Sequence, residues 1–265
     1  MTQTIGFIGT GMIGSALARL AVAAGFNVVL SNSHGPDTLA EVIADLGDRA
    51  RAATPTEAAK AGDLVVATVP LTAYRSLPVD SLRGKVVIDT MNYYPSRDGH
   101  MPDIDAAKLT TSELVQQHLQ GANVVKALHN LDFHHLFTNA RPRGDANRTT
   151  LPIAGDDVEA KEKVAQFMDA IGYDSIDIGP LSESWRIEPG TPIYVWPYVP
   201  TIPDGLNEKE ARRLYLETSG PPVSQDRARE FVAKAVRGRP VGGFVEALPP
   251  VHLALVAEAM SKQRR

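Results

Sequence analysis

No cysteine occurs among the 265 residues of this chain. That absence excludes a disulfide framework, a thiol nucleophile and cysteine-ligated metals. A basic excess is missing as well, since 27 Lys and Arg stand against 31 Asp and Glu for a formal charge of −4. Such a balance is the wrong sign for gripping a phosphate backbone, so no nucleic-acid partner is expected. No stretch reaches the roughly 18 uninterrupted apolar residues of a membrane span. The apolar N-terminal run is broken by Gly6, Gly9, Gly11 and Gly14 and lacks the basic start of a secretory signal. A soluble, cytoplasmic globular protein without a membrane partner is the expectation, with enough chain for one large domain or one and a half.

What is present begins at residues 9 to 14, Gly-Thr-Gly-Met-Ile-Gly, which follow the strand-like Thr4 to Ile8 and precede the helical pattern Ser15 to Leu20. This is the context of a dinucleotide-binding turn. The first glycine permits the tight turn, the second lets a pyrophosphate approach the backbone, and the third lets helix pack on strand. The phosphates would sit on the unpaired N–H groups of a helix N-terminus, held by Gly9, Thr10, Gly11, Met12, Ile13 and Gly14.

The second strand, Asn27 to Ser31, ends without the Asp or Glu that accepts hydrogen bonds from the ribose hydroxyls of NAD. Ser31, Asn32, Ser33 and His34 stand there instead. All four can donate to a 2′-phosphate and none repels it, so NADP(H) is the expected cofactor.

Further along, a helix is predicted over Asp37 to Leu46 and a third strand over Arg49 to Ala52. Thr54-Pro55-Thr56-Glu57 carries a capping box with proline at the first helical position. Strands follow at Asp63 to Pro70, Lys85 to Thr90, Ala122 to Leu128, Leu151 to Ala154 and Tyr173 to Ile178. Helices are expected over Ser112 to Leu119 and Asp157 to Ile171. Continuous apolar strands alternating with helices imply a doubly wound, mostly parallel α/β sheet of Rossmann type. Beyond Gly179 prolines interleave with Trp185, Tyr194, Trp196 and Tyr198, and a helical extension follows with Asn207 and Ser224 as N-caps and Pro249-Pro250 opening the last helix. The expected organisation is an NADP-binding domain at 1–130, an acceptor-side subdomain continuing the sheet at 131–200, and a helical extension at 201–265.

Several separated motifs share one order with a known family. Gly-Thr-Gly-Met-Ile-Gly, Thr68-Val69-Pro70, Val124 to Asn130, Pro152 to Asp157 and Asp177 to Leu181 resemble the coenzyme F420-dependent NADP reductases, within a wider group of pyrroline-carboxylate-reductase-like Rossmann proteins. The resemblance covers about residues 4 to 188. It implies hydride transfer between NADPH and a deazaflavin, coenzyme F420, as the small-molecule acceptor. Related folds reduce flavin, ferric iron or cyclic imines, and a non-catalytic NADPH-sensing module is the alternative outside enzymes. By the same resemblance Val69 and Pro70 would meet the nicotinamide ribose, while Leu128, His129 and Asn130 would border the nicotinamide and the acceptor ring. Two departures stand out: the family carries a basic residue where this chain has His34, and its members commonly end soon after the Gly-Pro-Leu motif.

Hydride transfer between rings needs positioning more than acid–base help. His129 is accordingly expected to line the pocket. For an imine or carbonyl acceptor, His129, Asp89 or a tyrosine would supply the proton. Tyr93, Tyr94 and Arg97, following the fifth strand, and Trp185 are candidates for the acceptor side. Arg141, Arg143 and Arg148 form a basic loop that could meet a phosphate-bearing tail. His129, His134 and His135 lack the i, i+4 spacing of a helical zinc pair, so no metal is expected, and His134 and His135 are assigned to a solvated helix start. The apolar face of Phe231, Val232, Ala235 and Val236 suggests a homodimer.

Overall fold

The computed structural model describes residues 2–238 and 241–263, with side chains to residue 258. Met1, Arg239, Pro240, Arg264 and Arg265, which fall within the expected domain ranges, lie outside the described residues. The chain begins β1 (Thr4–Ile8), α1 (Met12–Ala23), β2 (Asn27–Ser31), α2 (Ala40–Leu46), β3 (Ala50–Ala52), α3 (Pro55–Ala61), β4 (Leu64–Ala67), α4 (Val79–Leu82) and β5 (Val86–Asp89). Two single turns, α5 (Pro95–Asp98) and α6 (Pro102–Asp105), lead to α7 (Thr111–His118) and β6 (Asn123–Lys126). Then come α8 (Phe133–Thr138), β7 (Thr150–Gly155), α9 (Val158–Ala170) and β8 (Asp174–Asp177), followed by α10 (Glu208–Glu217), α11 (Gln225–Ala233) and α12 (Pro250–Gln263).

The strands form one eight-stranded sheet in the order β3-β2-β1-β4-β5-β6-β7-β8. All neighbours are parallel except β6 and β7. Doubly wound Rossmann topology is thus present, and its direction of winding reverses between β1 and β4. Alternate residues of each strand feed opposite faces, as the two-residue period of a strand requires. Ile5, Phe7, Val66, Ile88 and Val125 join a core with α1 and α9, whereas Val65, Ala67, Val87 and Val124 join a second core with Leu71, Tyr74 and Val115. Burial on both faces explains why the sequence shows apolar runs rather than alternation.

Helix ends follow local chemistry. Capping boxes close α3 through Thr54 and Glu57, α7 through Thr110 and Glu113, and α10 through Asn207 and Glu210, and Ser224 caps α11. The helix expected over Asp37 to Leu46 is instead divided. Pro36–Leu39 forms a 3-10 turn, and Leu39, at φ −100° and ψ 5°, leaves helical geometry before α2 begins. The third strand is shorter than expected, at Ala50–Ala52.

Much of the proline-rich stretch is drawn into the interior. Ile187, Ile193, Tyr198 and Val199 are buried, and Asn139 Nδ2 donates to the Tyr198 carbonyl at 2.8 Å. The helices of the extension pack behind it, with Tyr215 and Leu255 beside Tyr94, Tyr194 and Val195. No helix among the described residues is long and apolar enough to cross a membrane.

Candidate functional site

In doubly wound sheets ligands bind outside the carboxyl ends of the strands, where the winding reverses. That point lies here between β1 and β4, and the turn Gly9 to Gly14 occupies it. Gly9 sits at φ +103°, a conformation side chains rarely adopt, and its N–H donates to the Ser31 carbonyl at 2.9 Å. A methyl group on Gly14 would lie 2.3 Å from the Gly9 carbonyl oxygen and 2.7 Å from Thr68 Oγ1. Both glycines are therefore demanded by the fold itself. Gly11 is different: its φ of −79° and ψ of −163° suit any residue, and nothing stands within 4 Å of a methyl placed there. The open space beyond Gly11 is a cradle that a side chain would fill.

Gly11 also begins α1, and no side chain caps that helix. The leading N–H groups of α1 thus face the cradle without an internal partner, and the helix dipole adds a partial positive charge at the same place. No acidic residue lies in the first turn to compete with an anion. These features fit a dinucleotide pyrophosphate.

Thr68, at the end of β4, holds the turn in place. Its Oγ1 donates to the Gly9 carbonyl at 2.7 Å, and its N–H donates to the Ile8 carbonyl at 2.8 Å. Thr10 Oγ1 completes the brace by donating to the Ser31 carbonyl at 2.9 Å. The sequence motif at 68 to 70 contained Thr68, but only Val69 and Pro70 were singled out from it. Both follow at the same edge, Val69 half-buried and Pro70 exposed.

The polar group after β2 divides in two. Ser31 is wholly buried, and its Oγ donates to the Phe7 carbonyl at 2.7 Å. Its assignment to the 2′-phosphate is corrected, because the hydroxyl points into the sheet and locks β2 to β1. Ser33 and His34 are exposed, and Asn32 is fixed by Nδ2 donating to Thr38 Oγ1 at 2.8 Å while Oδ1 accepts from the His34 N–H at 3.0 Å. Residues 32 to 34 thus form an ordered polar turn without a carboxylate, at the same edge as Gly11.

Toward β5 and β6 the edge becomes closed. Asp89 and Lys126 are both fully buried, with Lys126 Nζ 3.5 Å from Asp89 Oδ2 and also donating to the Met91 carbonyl. Ser112 Oγ donates to Asp89 Oδ2 at 2.7 Å. Asp89 therefore has its oxygens engaged inside the protein, which removes it as a proton donor to an acceptor. Leu128 follows β6 in the left-handed region at φ +57°, and Val195 does the same at φ +58°. Such values are costly for leucine and more so for β-branched valine, and they occur together where the chain turns around His129 and Asn130.

His129 and Asn130 do not line an open cavity. His129 is buried under the Ile187 carbonyl, which lies 2.8 Å from Nε2. A carbonyl only accepts, so Nε2 carries the proton and Nδ1 presents a bare lone pair, buried without a partner. Burial, aided by the Lys126 charge, holds this imidazole well below the usual histidine range and keeps it neutral. Asn130 Nδ2 donates to the Ile187 carbonyl at 3.0 Å, and its own carbonyl accepts from the Val195 N–H at 2.9 Å. These contacts make Asn130 a staple for the crossing segment, which corrects its assignment as an open cofactor contact.

The aromatic candidates are also interior. Tyr93 is fully buried and its hydroxyl donates to Asp105 Oδ1 at 2.7 Å; burial and that neighbour push it up to about 12. Tyr94 Oη meets Tyr194 Oη at 2.5 Å, and the Tyr194 ring lies 6.5 Å from that of His129. Arg97 covers the Tyr94 ring at 5.0 Å and binds Asp98 at 2.7 Å. Tyr93 and Tyr94 are therefore interior, whereas Arg97 is exposed and engaged with Asp98 and the Tyr94 ring. Trp185 is half-buried between Arg186 and Arg237, at 4.4 and 5.9 Å.

Two further expectations are overturned. Arg148 is buried and pairs with Asp174 at 2.7 Å and Asp169 at 3.0 Å, Arg143 pairs with Asp169, and Arg141 donates to the carbonyls of Thr138 and Ala140. Arg148 is thus neutralised inside the fold and does not offer its charge to a phosphate tail, while Arg141 meets only carbonyl and hydroxyl oxygens and Arg143 remains exposed. His135 is wholly buried, and His134 Nε2 lies 2.9 Å from the Leu216 carbonyl. Asp132 caps α8, accepting from the N–H groups of His134 and His135, from His135 Nδ1 at 2.8 Å and from the Tyr215 hydroxyl. Burial alone would raise the Asp132 carboxyl, but the bonds from His135 and Tyr215 outweigh it and hold it down to about 2. Among the described residues no cluster suited to a metal ion is found.

Comparison with known proteins agrees with this geometry. The hypothetical protein SMa0349 from Sinorhizobium meliloti has a solved structure with a TM-score of 0.64, 28% identical, covering 73% of this chain and 93% of its own. An Arthrobacter sp. FB24 protein named as a candidate F420-dependent NADP-reductase shares the fold, with a TM-score of 0.60, 20% identity, and coverage of 69% of this chain and 87% of its own. Metalloreductase STEAP3 from Rattus norvegicus is 29% identical over 202 residues, 75% of this chain. The chain spans only 38% of that relative's length. The segment from β1 through Tyr93, residues 4–93, which contains the Gly9 to Gly14 turn and Thr68, matches the family model described as NADP oxidoreductase, coenzyme F420-dependent.

Proposed function

We propose that this protein is an NADP(H)-dependent oxidoreductase that passes a hydride between NADPH and a flat acceptor, coenzyme F420 being the first choice. The observation that carries the reading is Gly11: a glycine the fold does not need, opening onto an uncapped helix N-terminus at the winding reversal of a parallel sheet. The family model matched over residues 4–93 supports the deazaflavin as acceptor. Ser33 and His34, exposed beside Asn32 with no carboxylate among them, support NADP over NAD.

The bound nicotinamide supplies the hydride. The residues of this chain supply position: the N–H groups following Gly11 receive the pyrophosphate, Thr68 fixes the turn, and Val69 with Pro70 offer an apolar shelf where β4 ends. Reacting carbons must be held roughly 3–3.5 Å apart, and a rigid edge serves that need better than a titrating side chain. His129 is buried with its Nε2 on the Ile187 carbonyl. It is here a positioning residue, held neutral by its burial.

A second reading follows from the likeness to Metalloreductase STEAP3. In it a metal ion such as ferric iron is the acceptor. The two separate in one assay: absorbance at 340 nm is followed with NADPH and, in turn, coenzyme F420, a flavin with ferric citrate, and 1-pyrroline. Consumption with F420 alone is the expected result. Consumption with flavin and iron alone favours the second reading, turnover of 1-pyrroline points to an imine reductase, and tight NADPH binding without turnover on any of them leaves a sensing module.

A further inference from the structure

Between the loop after β5 and the extension lies a cavity of about 300 Å³, at the small end of ligand-binding pockets. Its walls are apolar, from Pro95, Val241, Phe244 and the backbone of Gly242 and Gly243, while Ser96, His100 and Asp105 form its polar side. The wall is built closely. Gly242 stands at φ +99°, and a methyl on it would lie 2.8 Å from the Tyr93 ring. On Gly243 a methyl would come 2.7 Å from Tyr94 and 2.5 Å from Pro189, and the Gly243 N–H donates to the Tyr93 carbonyl at 3.0 Å. A bare backbone thus fits against the tyrosines and leaves a shaped hollow beside them, with the Phe244 ring still exposed at its mouth.

The polar side carries one carboxylate, Asp105, beside the His100 imidazole. Asp105 Oδ1 accepts from the Tyr93 hydroxyl, and Oδ2 lies 3.1 Å from His100 Nδ1. Among the described residues no lysine or arginine pairs with Asp105. The nearest guanidinium on this loop, Arg97, is bound to Asp98, and Lys108 is bound to Asp103. A carboxylate at the edge of an apolar hollow recognises a cation or N–H donor carried on a ring.

We propose that this cavity is a second small-molecule site, taking a compact ring that bears one ammonium group, with the ring against Phe244 and Pro95 and the ammonium beside Asp105. It is separate from the cradle at Gly11. From His129 it is divided by one layer, the Tyr94–Tyr194 pair, to whose Tyr194 hydroxyl Asn92 Nδ2 also donates at 3.1 Å. The occupant therefore binds together with NADPH, in a wall that the extension completes.

The test uses the full chain saturated with NADPH and three probes of one shape: benzylamine, benzyl alcohol and benzoate. Binding is read by saturation-transfer NMR and by the shift in Tm. Benzylamine is expected to bind about fivefold or more tightly than benzyl alcohol, and benzoate not at all. Asp105→Asn should remove the preference for the amine and leave NADPH affinity unchanged. Phe244→Ala, at an exposed ring that folding does not depend on, should weaken both neutral and cationic probes. Failure of benzylamine to bind, equal binding of all three probes, displacement of benzylamine by NADPH, or undiminished binding in both variants would each overturn the proposal.

Discussion

Replacing Gly11 and Gly14 separately by alanine should divide binding from stability within one turn. At Gly14 the added methyl meets a backbone oxygen at 2.3 Å and Thr68 Oγ1 at 2.7 Å, and neither can withdraw without moving β1, β4 or α1. Overpacking of this kind costs about 1–3 kcal/mol, and each kcal/mol lowers Tm by about 2–4 °C in a chain of this size. Gly14→Ala should therefore melt roughly 2–12 °C lower with no ligand present. At Gly11 the backbone already suits alanine and the methyl enters open space. Loss of glycine there restricts the unfolded chain by about 0.4–1 kcal/mol, but alanine is a poorer N-cap than glycine by a similar amount, so stability should stay within about 1 kcal/mol of the wild type. In the proposed site NADPH comes close to that backbone. Each hydrogen bond to a charged phosphate that is pushed out of reach removes about 1.5–3 kcal/mol, which is roughly a 10- to 100-fold weaker Kd. Thermal melts without ligand and a fluorescence titration with NADPH measure the two effects independently. A Gly11→Ala protein that binds NADPH like the wild type, or that loses as much stability as Gly14→Ala, refutes the assignment of the cradle.

Three more outcomes follow from the same contacts. Thr68→Val removes the bond to the Gly9 carbonyl at constant shape and should cost about 1 kcal/mol of stability with weaker NADPH binding, whereas Thr68→Ser should restore both, as urea unfolding and titration will measure. Ser33→Asp places a carboxylate in the exposed turn and should weaken NADPH on the order of tenfold while leaving NADH nearly unchanged; equal effects on both would remove the 2′-phosphate from residues 32 to 34. For Asp132 the folded value of about 2 lies below the ordinary 3.8, so its contribution is complete above pH 4 and disappears as pH falls toward 2. That contribution is on the order of 2 kcal/mol. Asp132→Asn should remove this acid-limb slope from a stability-against-pH series and loosen α10 from α8, seen as faster amide exchange in α8.

Much of the nucleotide half is legible because its signals are local. Glycine spacing, the Thr54 cap and the apolar strands each act within a few residues, and each appears in the fold where expected. Ser31 shows where local reading stops. Its place at the end of β2 was plain, but whether the hydroxyl faced solvent or the Phe7 carbonyl depended on β1 alongside it. His134 and His135 did begin a helix, as expected. Their burial comes from Leu216, Thr218 and Tyr215, some 80 residues away, and no periodicity around 134 carries that information. The basic loop at 141 to 148 likewise looked free because its partners, Asp169 and Asp174, sit on a later helix and strand. Enclosure of His129 and Asn130 depends on the proline-rich segment folding back, with Ile187 and Val195 brought over them. Thr68 is the case a closer reading could have reached, since a hydroxyl ending the strand beside a glycine turn has few other acceptors than that turn's carbonyls.

A crystal structure of the full chain with NADP+ is the most direct measurement. Its pyrophosphate should rest on the first N–H groups of α1 within hydrogen-bond distance, beside Gly11, with the 2′-phosphate against residues 32 to 34 and the nicotinamide over Val69 and Pro70. A dinucleotide bound elsewhere, or bound here with its pyrophosphate away from the start of α1, would contradict the reading of this site.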